Sequence, residues 1–172
     1  MQLGIELCKK INGDLVLATD PDADRVGVAV NHHGEYVLPT GNEIGVLMLD
    51  YIAKQRIAHG TMPKKPIAVK SIVSTPLADV VAKSYGIEMV NVLTGFKYIG
   101  EQIKFFEQSN SNNYVFGLEE SYGCLAGTHA RDKDAVVAVM CLCEVAAWCK
   151  KHGITVWDQM LKPVSYTHLT LP

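Results

Sequence analysis

Residues 67–92, IAVKSIVSTPLADVVAKSYGIEMVNV, hold the strand–helix–strand unit that decides the fold. Residues 67–71 form a short apolar run rich in β-branched side chains, which indicates a buried strand. Apolar residues then recur at helical spacing over 77–85, and Gly86 closes the helix. Residues 88–92 are the next strand. This order favours two parallel strands joined by a crossover helix.

The same alternation continues on both sides of this unit. Upstream, apolar residues over 43–58 recur at the spacing of a helix with one buried face. Downstream, the pattern predicts a helix over 98–108, a strand over 114–117 and a helix over 134–152. We therefore predict an α/β fold with a parallel-type mixed sheet and covering helices, in which ligands bind beyond the carboxyl ends of the strands.

A separate module precedes this alternation. Residues 14–19 and 26–31 read as two strands around an acidic loop, and 35–38 can pair back across a polar turn as a hairpin strand. The module ends near Pro39. Such a sheet would lack most of its strands and leave unpaired edges, so we expect aggregation or local disorder before Pro39.

Length and composition limit the classes of protein. At 172 residues the chain can hold one domain, or one domain and a piece of another, and its 48% hydrophobic and 20% charged residues are typical of a globular chain. A net charge of −2 without a basic run argues against nucleic acid as a partner, and no apolar stretch is long enough to span a membrane. We expect small-molecule ligands, a cytoplasmic location and reduced thiols at the five cysteines.

The loop Asp20-Pro21-Asp22-Ala23-Asp24-Arg25 follows the first strand and carries three carboxylates at alternate positions. Carboxylates in this arrangement can converge on one hard cation, and Mg²⁺ keeps coordination positions free for water or a substrate phosphate. A calcium-binding hand is disfavoured, because the loop lacks the glycine and the distal glutamate of that motif. The alternative is an exposed acidic turn that Arg25 partly neutralises.

A second polar loop, Gly117-Leu118-Glu119-Glu120-Ser121-Tyr122-Gly123, begins at the end of a predicted strand. A carboxylate such as Glu119 accepts hydrogen bonds from vicinal sugar hydroxyls, and the hydroxyl of Ser121 can donate and accept, so the loop suits sugar recognition. The same letters are also common in surface loops, and taken alone they would favour that interpretation.

The segment Thr94-Gly95-Phe96-Lys97 connects a strand to a helix. Glycine permits close approach of the backbone, and a lysine near a helix N-terminus can meet an anion such as phosphate. The alternative is a helix-start turn with a solvated lysine.

Two cations open the last helix, in the segment Ala130-Arg131-Asp132-Lys133-Asp134. Arg131 or Lys133 could bind phosphate, and a desolvated lysine could move protons. A salt-bridged helix cap explains the same residues. His129 lies nearby, and a ligand or proton role for it stays open.

The four motifs, in their order along the chain, resemble the α-D-phosphohexomutase superfamily, most closely its bacterial-type phosphoglucomutases and phosphomannomutases. The similarity covers about residues 13–160. It implies that residues 1–39 are the C-terminal part of a domain II with the metal loop, that 40–160 are domain III, and that 161–172 are a tail outside the native protein.

The resemblance also implies roles for single residues. Mg²⁺ would be held by Asp20, Asp22 and Asp24, with Arg25 close to the phosphate and Lys133 as general acid or base. The family's Gly-Glu-x-Ser sugar loop matches Glu119 and Ser121, although Leu118 replaces its first glycine. The family's second specificity loop resembles Thr94-Gly95-Phe96-Lys97, which implies substrate contacts for Thr94, Gly95 and Lys97. To these we add Arg131, of the segment before the predicted helix 134–152, as the phosphate candidate.

The implied activity is reversible exchange of phosphate between a phosphoserine and a sugar phosphate, which interconverts the 1-phosphate and 6-phosphate of glucose through glucose 1,6-bisphosphate. The motif of the phosphoserine and the phosphate loop of the fourth domain are not found in these 172 residues. We therefore expect a fragment that is inactive without the remaining domains of its parent enzyme.

Three alternatives remain open. The sugar could be mannose or a pentose. Asp20 or Asp22 could be the nucleophile of an aspartyl phosphatase, although the sugar loop would then be unexplained. The chain could also be a non-catalytic module that binds metal and sugar phosphate.

Overall fold

The structure is a computed structural model that describes residues 1–168, with side chains described to residue 163. The helices are α1 (Gln2–Lys10), α2 (Gly41–Ala58), α3 (Leu77–Ser84), α4 (Phe96–Ser109), α5 (Ala135–Lys151) and α6 (Val156–His168). The strands are β1 (Leu15–Thr19), β2 (Val26–His32), β3 (Glu35–Val37), β4 (Pro66–Ser71), β5 (Glu88–Val92), β6 (Asn113–Leu118) and β7 (Cys124–Ala126). Among the described helices, none combines the length and the apolar composition needed to cross a bilayer.

The larger sheet has the strand order β5-β4-β6-β7. Strand β4 pairs in parallel with both β5 and β6, whereas β7 returns antiparallel to β6 along the outer edge. The predicted α/β class with a mixed, mostly parallel sheet is confirmed. Strand β7 was not predicted, because it has only three residues within what reads as a long loop.

Helices cover the sheet on both faces, and the alternation of side chains along β4 assigns each residue to a face. Ile67 and Val69 pack with Phe96, Ile99 and other apolar residues of α4 in one core cluster. Ala68 points to the opposite face, into the larger cluster that α2, α3, α5 and α6 share.

Helix α2 lies at the centre of the larger cluster. Its start is fixed by a capping box, in which Thr40 accepts from the Glu43 amide and Glu43 accepts from the Thr40 amide. Its buried residues include the continuous run 44–51, so neighbours surround the helix on all sides. Within that run, the buried carboxylate of Asp50 accepts hydrogen bonds from the Tyr85 hydroxyl (2.7 Å) and the Gln159 amide (3.1 Å), which ties α2 to α3 and α6.

The first module is an antiparallel sheet in the order β1-β2-β3, preceded by α1. The expectation of local disorder before Pro39 is wrong for this structure. Val26, Val28 and Val30 of β2 lie in the same buried cluster as α2, so the module shares the core of the larger sheet instead of folding alone. Helix α1 was not predicted, although Leu3, Leu7 and Ile11 recur at helical spacing; the structure exposes these three side chains and buries Ile5 and Cys8 instead.

The end of the chain forms α6, which was also not predicted. The helix contains Pro163 and continues to His168, through much of the segment 161–172 that we interpreted as a tail. Residues 169–172 lie outside the described residues, and the origin of the segment stays a prediction.

Candidate active site

The acidic loop folds as a compact turn between β1 and β2. Asp20 Oδ1 accepts hydrogen bonds from the amides of Asp24 and Arg25, both at 3.1 Å. The amide of Arg25 is the main reason that the pKa of Asp20 lies below its ordinary value. Ala23 adopts the left-handed conformation (φ 54°) that lets the chain reverse direction.

The turn brings the predicted metal ligands together. One oxygen from each of Asp20, Asp22 and Asp24 lies within 4.8 Å of the other two. Asp24 Oδ1 is buried, and among the described side chains it has no hydrogen-bond partner. Such an oxygen is costly unless a cation or water satisfies it. The Nε of the Arg25 guanidinium lies 3.5 Å from this oxygen without forming a hydrogen bond to it. This donor set fits a hard divalent cation.

The acidic loop is docked on the sugar loop. Arg25 and Gly123 form an isolated antiparallel bridge, and the amide of Val26 donates to the carbonyl of Tyr122 at 3.3 Å. The amide of Ala135, the first residue of α5, donates to the carbonyl of Ala23 at 3.0 Å. Three motifs that are distant in sequence are thus joined by backbone hydrogen bonds.

Lys133 connects the motifs through its side chain. Its Nζ lies 2.8 Å from Asp24 Oδ2 and 3.1 Å from Asp132 Oδ1, and only 12% of the side chain is exposed. Its stem crosses Gly123, where a Cβ would collide with Lys133 Cδ. Burial by itself would lower the pKa of Lys133, but the hydrogen bonds to Asp24 and Asp132 raise it above its ordinary value. The group is therefore a fixed cation beside the acidic loop.

Glu119 stands at the carboxyl end of β6 and is 6% exposed. Its Oε1 accepts a hydrogen bond from the amide of Gly95 at 2.9 Å, which joins the sugar loop to the 94–97 segment. The neighbouring Glu120 points elsewhere, since its Oε2 accepts from Ser71 Oγ at 2.8 Å and faces Ser74 Oγ at 3.4 Å. Of the two glutamates, only Glu119 is directed at the predicted site.

Three further predicted residues lie at the rim. Ser121 is half-buried and borders an open cavity of about 530 Å³ together with Asp20, Arg25 and Tyr122. Thr94 and Lys97 are exposed beyond the carboxyl end of β5, where Lys97 Nζ lies 4.9 Å from the centre of the Tyr98 ring. Their roles as substrate ligands stay predictions.

Arg131 is held away from this cluster. Its guanidinium donates to Glu107 Oε2 of α4 at 2.6 Å and to the carbonyls of Thr128 and Ala130. Binding of phosphate by Arg131 stays a prediction, and it would require this ion pair to open. His129 is likewise engaged, because its Nε2 lies 2.8 Å from Asp134 Oδ2.

Sequence reasoning missed several members of the site. Asp132 forms a second ion pair with Lys133, beside that of Asp24. The centre of the Phe96 ring lies 5.6 Å from the Lys133 ammonium. Beside the site, Ser71 and Ser74, interpreted as turn and cap residues, donate to Glu120 and so hold it apart from Glu119. Their position at the carboxyl end of the central strand was a usable signal, because that edge is where ligand-binding loops gather.

The Glu119 carboxyl predicts a pH dependence of stability. Burial raises its pKa above the ordinary value of 4.5, and the Gly95 amide and the charge of Lys133 offset this only in part. Between 4.5 and the raised pKa, the folded chain therefore holds a proton that the unfolded chain has lost. The contribution of Glu119 to the free energy of unfolding accordingly falls as the pH rises through that interval. We expect Glu119→Gln, which can still accept the Gly95 hydrogen bond, to lack this fall when urea unfolding is measured at several pH values.

The matched control is Glu101→Gln, at an exposed position of α4, which should keep the pH profile of the parent chain. If the profile of Glu119→Gln ran parallel to that of the parent chain, Glu119 would not carry the effect.

Comparison with known proteins gives the family. The family model described as phosphoglucomutase/phosphomannomutase, alpha/beta/alpha domain III, matches residues 40–164. The phosphoglucomutase of Staphylococcus aureus (strain USA300) is 38% identical over 157 residues, which cover 91% of this chain and 27% of that protein. The phosphomannomutase of Mycoplasmoides pirum is 37% identical over 162 residues, which cover 94% of this chain and 29% of that protein. The chain thus spans less than a third of the length of either relative.

Solved structures have the same fold. A protein of Thermus thermophilus, provisionally named a phosphomannomutase, superposes with a TM-score of 0.71 at 25% identity, over 98% of this chain and 35% of that chain. The N-acetylphosphoglucosamine mutase of Aspergillus fumigatus, solved with GlcNAc-6P and magnesium, superposes with a TM-score of 0.60 at 16% identity, over 93% of this chain and 39% of that chain. With the family model covering most of its residues, the chain belongs to the phosphoglucomutase/phosphomannomutase family.

Proposed function

We propose that this chain is part of a phosphohexose mutase, an isomerase that interconverts sugar 1-phosphates and sugar 6-phosphates, and that it supplies the metal loop and the sugar loop. The observation that carries the proposal is the meeting of motifs that are far apart in sequence. Lys133 Nζ lies 2.8 Å from Asp24 Oδ2, and the backbones of Arg25 and Gly123 form a β-bridge. Glu119 accepts a hydrogen bond from the amide of Gly95 at 2.9 Å.

Asp20, Asp22 and Asp24 would hold Mg²⁺. When bound, Mg²⁺ supplies positive charge that offsets the charge of a transferring phosphoryl group. The close approach of the three carboxylates and the unpartnered Oδ1 of Asp24 support this assignment over an exposed acidic turn. The magnesium in the Aspergillus fumigatus mutase agrees with it.

Glu119 would orient the sugar. Its carboxylate is fixed by one hydrogen bond through Oε1, and within the described part of the chain Oε2 keeps acceptor capacity for sugar hydroxyls. Ser121 borders the cavity beside the metal loop and would add a second hydroxyl contact. The sugar would then lie between the sugar loop and the 94–97 segment, where Thr94, Gly95 and Lys97 are available.

Lys133 and Arg25 would act on the phosphate and the reacting hydroxyl. Both are cations next to the carboxylate cluster, so they favour a phosphate group at its edge. Lys133 would exchange a proton with the sugar hydroxyl once substrate displaces its contact with Asp24 or Asp132, because the present hydrogen bonds stabilise its charged form.

The phosphate donor, a phosphoserine, would come from outside these 172 residues, as would the other domains of the parent enzyme. The names of the relatives include both a phosphoglucomutase and a phosphomannomutase, so glucose and mannose phosphates are both candidate substrates, and a pentose phosphate stays an alternative. The isolated chain would bind these ligands without turning them over.

The test is calorimetric titration of the chain with glucose 1,6-bisphosphate in the presence of Mg²⁺. We expect Glu119→Ala to weaken binding by at least about tenfold, because it removes hydrogen bonds to a charged acceptor. The matched control Glu101→Ala, at an exposed position of α4, should bind as the parent chain does. Equal binding by Glu119→Ala and the parent chain would contradict the proposed role of Glu119 in binding the sugar. Steady turnover without added protein would contradict an external phosphoserine.

A further inference from the structure

A second group of metal-binding side chains lies away from the acidic loop, where the β2–β3 hairpin meets the start of α6. His32, His33 and Asp158 each place one ligand atom within 4.8 Å of the other two. His32 and His33 belong to the first module, and Asp158 belongs to the last helix. The proposed mutase chemistry uses none of these residues.

Two adjacent histidines on a regular strand would point to opposite faces of the sheet. Here His33 leaves the strand in the left-handed conformation (φ 53°), and Gly34 follows with φ 95°. This tight turn swings the second imidazole toward the first, so the two ring centres are 4.5 Å apart. The turn therefore makes a pair of neighbouring imidazoles out of a sequence that would otherwise separate them.

The carboxylate of Asp158 is oriented for a ligand. Its Oδ2 accepts hydrogen bonds from the amide and the hydroxyl of Thr155, both at 2.8 Å. Its Oδ1 faces the imidazole of His32, at 3.9 Å from Nδ1.

Thr155 supports the imidazole as well as the carboxylate. Its Oγ1 lies 2.9 Å from His32 Nδ1. Because this hydroxyl donates its own hydrogen to Asp158 Oδ2, the Nδ1–H of His32 is the donor in the contact, and Nε2 keeps the lone pair that can bind a metal. Metal-binding histidines and carboxylates are commonly held by such outer hydrogen bonds, which fix the ring and the carboxylate before the metal arrives. Next to the cluster, His33 and Thr155 border a cavity of about 270 Å³, which leaves room for water as a further ligand.

We propose that His32, His33 and Asp158 form a site for a transition-metal dication such as Zn²⁺, with water in the remaining position. Two imidazoles and one carboxylate suit zinc and its neighbours in the first transition row, whereas the all-carboxylate loop at Asp20 suits Mg²⁺. A metal bound here would fasten the first module to α6, independently of the sugar-phosphate site.

The test is calorimetric titration with Zn²⁺, with Co²⁺ as a spectroscopic probe whose visible absorption reports nitrogen ligands. It is made in an Asp22→Asn/Cys143→Ser background, which weakens the acidic loop and removes the exposed thiol as competing sites. We expect one strong Zn²⁺ site, and we expect His33→Asn to weaken it by at least about tenfold. Asparagine also tolerates the left-handed conformation, so the turn should survive.

Three comparisons decide the result. Asp158→Asn should weaken Zn²⁺ binding as His33→Asn does, and His59→Asn, which changes a histidine outside the cluster, should not. In the metal-free state, His33→Asn should unfold at the same temperature as its background, which separates loss of a ligand from loss of fold. No Zn²⁺ binding in the background, or equal binding by background and His33→Asn, would overturn the site. Neither result would bear on the sugar-phosphate site.

Discussion

Replacing Gly41 by alanine is expected to lower the free energy of unfolding by about 3 kcal/mol, the upper part of the usual cost of overpacking. Gly41 is the first residue of α2 and lies directly against the sugar loop. A Cβ there would collide with the carbonyl oxygen of Glu120 and would lie 2.6 Å from the amide nitrogen of Tyr122. Both are backbone atoms, so no side-chain rotation can relieve the clash. Urea unfolding of the two proteins measures the difference.

The same substitution should also reduce the affinity for sugar phosphate, because relief of the clash must move the loop that carries Glu119. The matched control is Gly27→Ala in β2, where the nearest atoms to a new Cβ are the carbonyl oxygen of Ala18 at 3.7 Å and Met1 Cε at 3.9 Å. That change should alter stability by no more than about 0.5 kcal/mol. Equal costs at positions 41 and 27 would mean that the sugar loop does not rest on α2 as described.

Local patterns were sufficient for the elements that build the larger sheet. The strand at 67–71, the helix after it and the strand at 88–92 all appear where the sequence predicts them, because burial on a sheet imposes its period on the side chains. The elements missed are those without such a constraint. Strand β7 has three residues, and α1 exposes Leu3 and Leu7.

The edge of the sheet where the site lies was also predictable. The sugar loop and the 94–97 segment follow β6 and β5, and the parallel topology brings both to one edge. The antiparallel β7 leads away from that edge, and the loop after it returns, so that the Asp134 amide at the start of α5 donates to the carbonyl of Cys124. The acidic loop belongs to the other sheet, and its place beside Lys133 depends on the packing of two modules. No local spacing encodes that packing.

The direction of Arg131 shows the same limit. In sequence Arg131 is equivalent to Lys133, since both are cations just before α5. In the structure, Gly100 of α4 has no side chain, and this lets the backbone carbonyl of Arg131 approach the helix closely. The guanidinium then meets Glu107 on the same helix, while Lys133, two residues on, crosses to Asp24. A contact between α4 and this loop separates the two cations.

The acidic loop gives the second large effect. We expect Asp24→Asn to weaken Mg²⁺ binding by at least about a hundredfold, because loss of even an outer-shell partner of a metal costs about 10- to 100-fold. Asp24 is the critical member of the cluster, since its Oδ1 is buried without a hydrogen-bond partner among the described side chains. Calorimetric titration of the purified chain with Mg²⁺ measures the change.

The variant Asp132→Asn separates coordination from general electrostatics. Asp132 also carries one negative charge beside Lys133, with 3.1 Å between its Oδ1 and Nζ, but it lies outside the group of three carboxylates. If the carboxylate of Asp24 binds the ion directly, Asp132→Asn should change Mg²⁺ affinity only a fewfold, because a partly exposed charge acts through screened Coulomb attraction alone. Similar losses in the two variants would instead mean that the loop attracts cations by its net charge. In that case Asp24 would serve mainly as the partner that holds Lys133 in place.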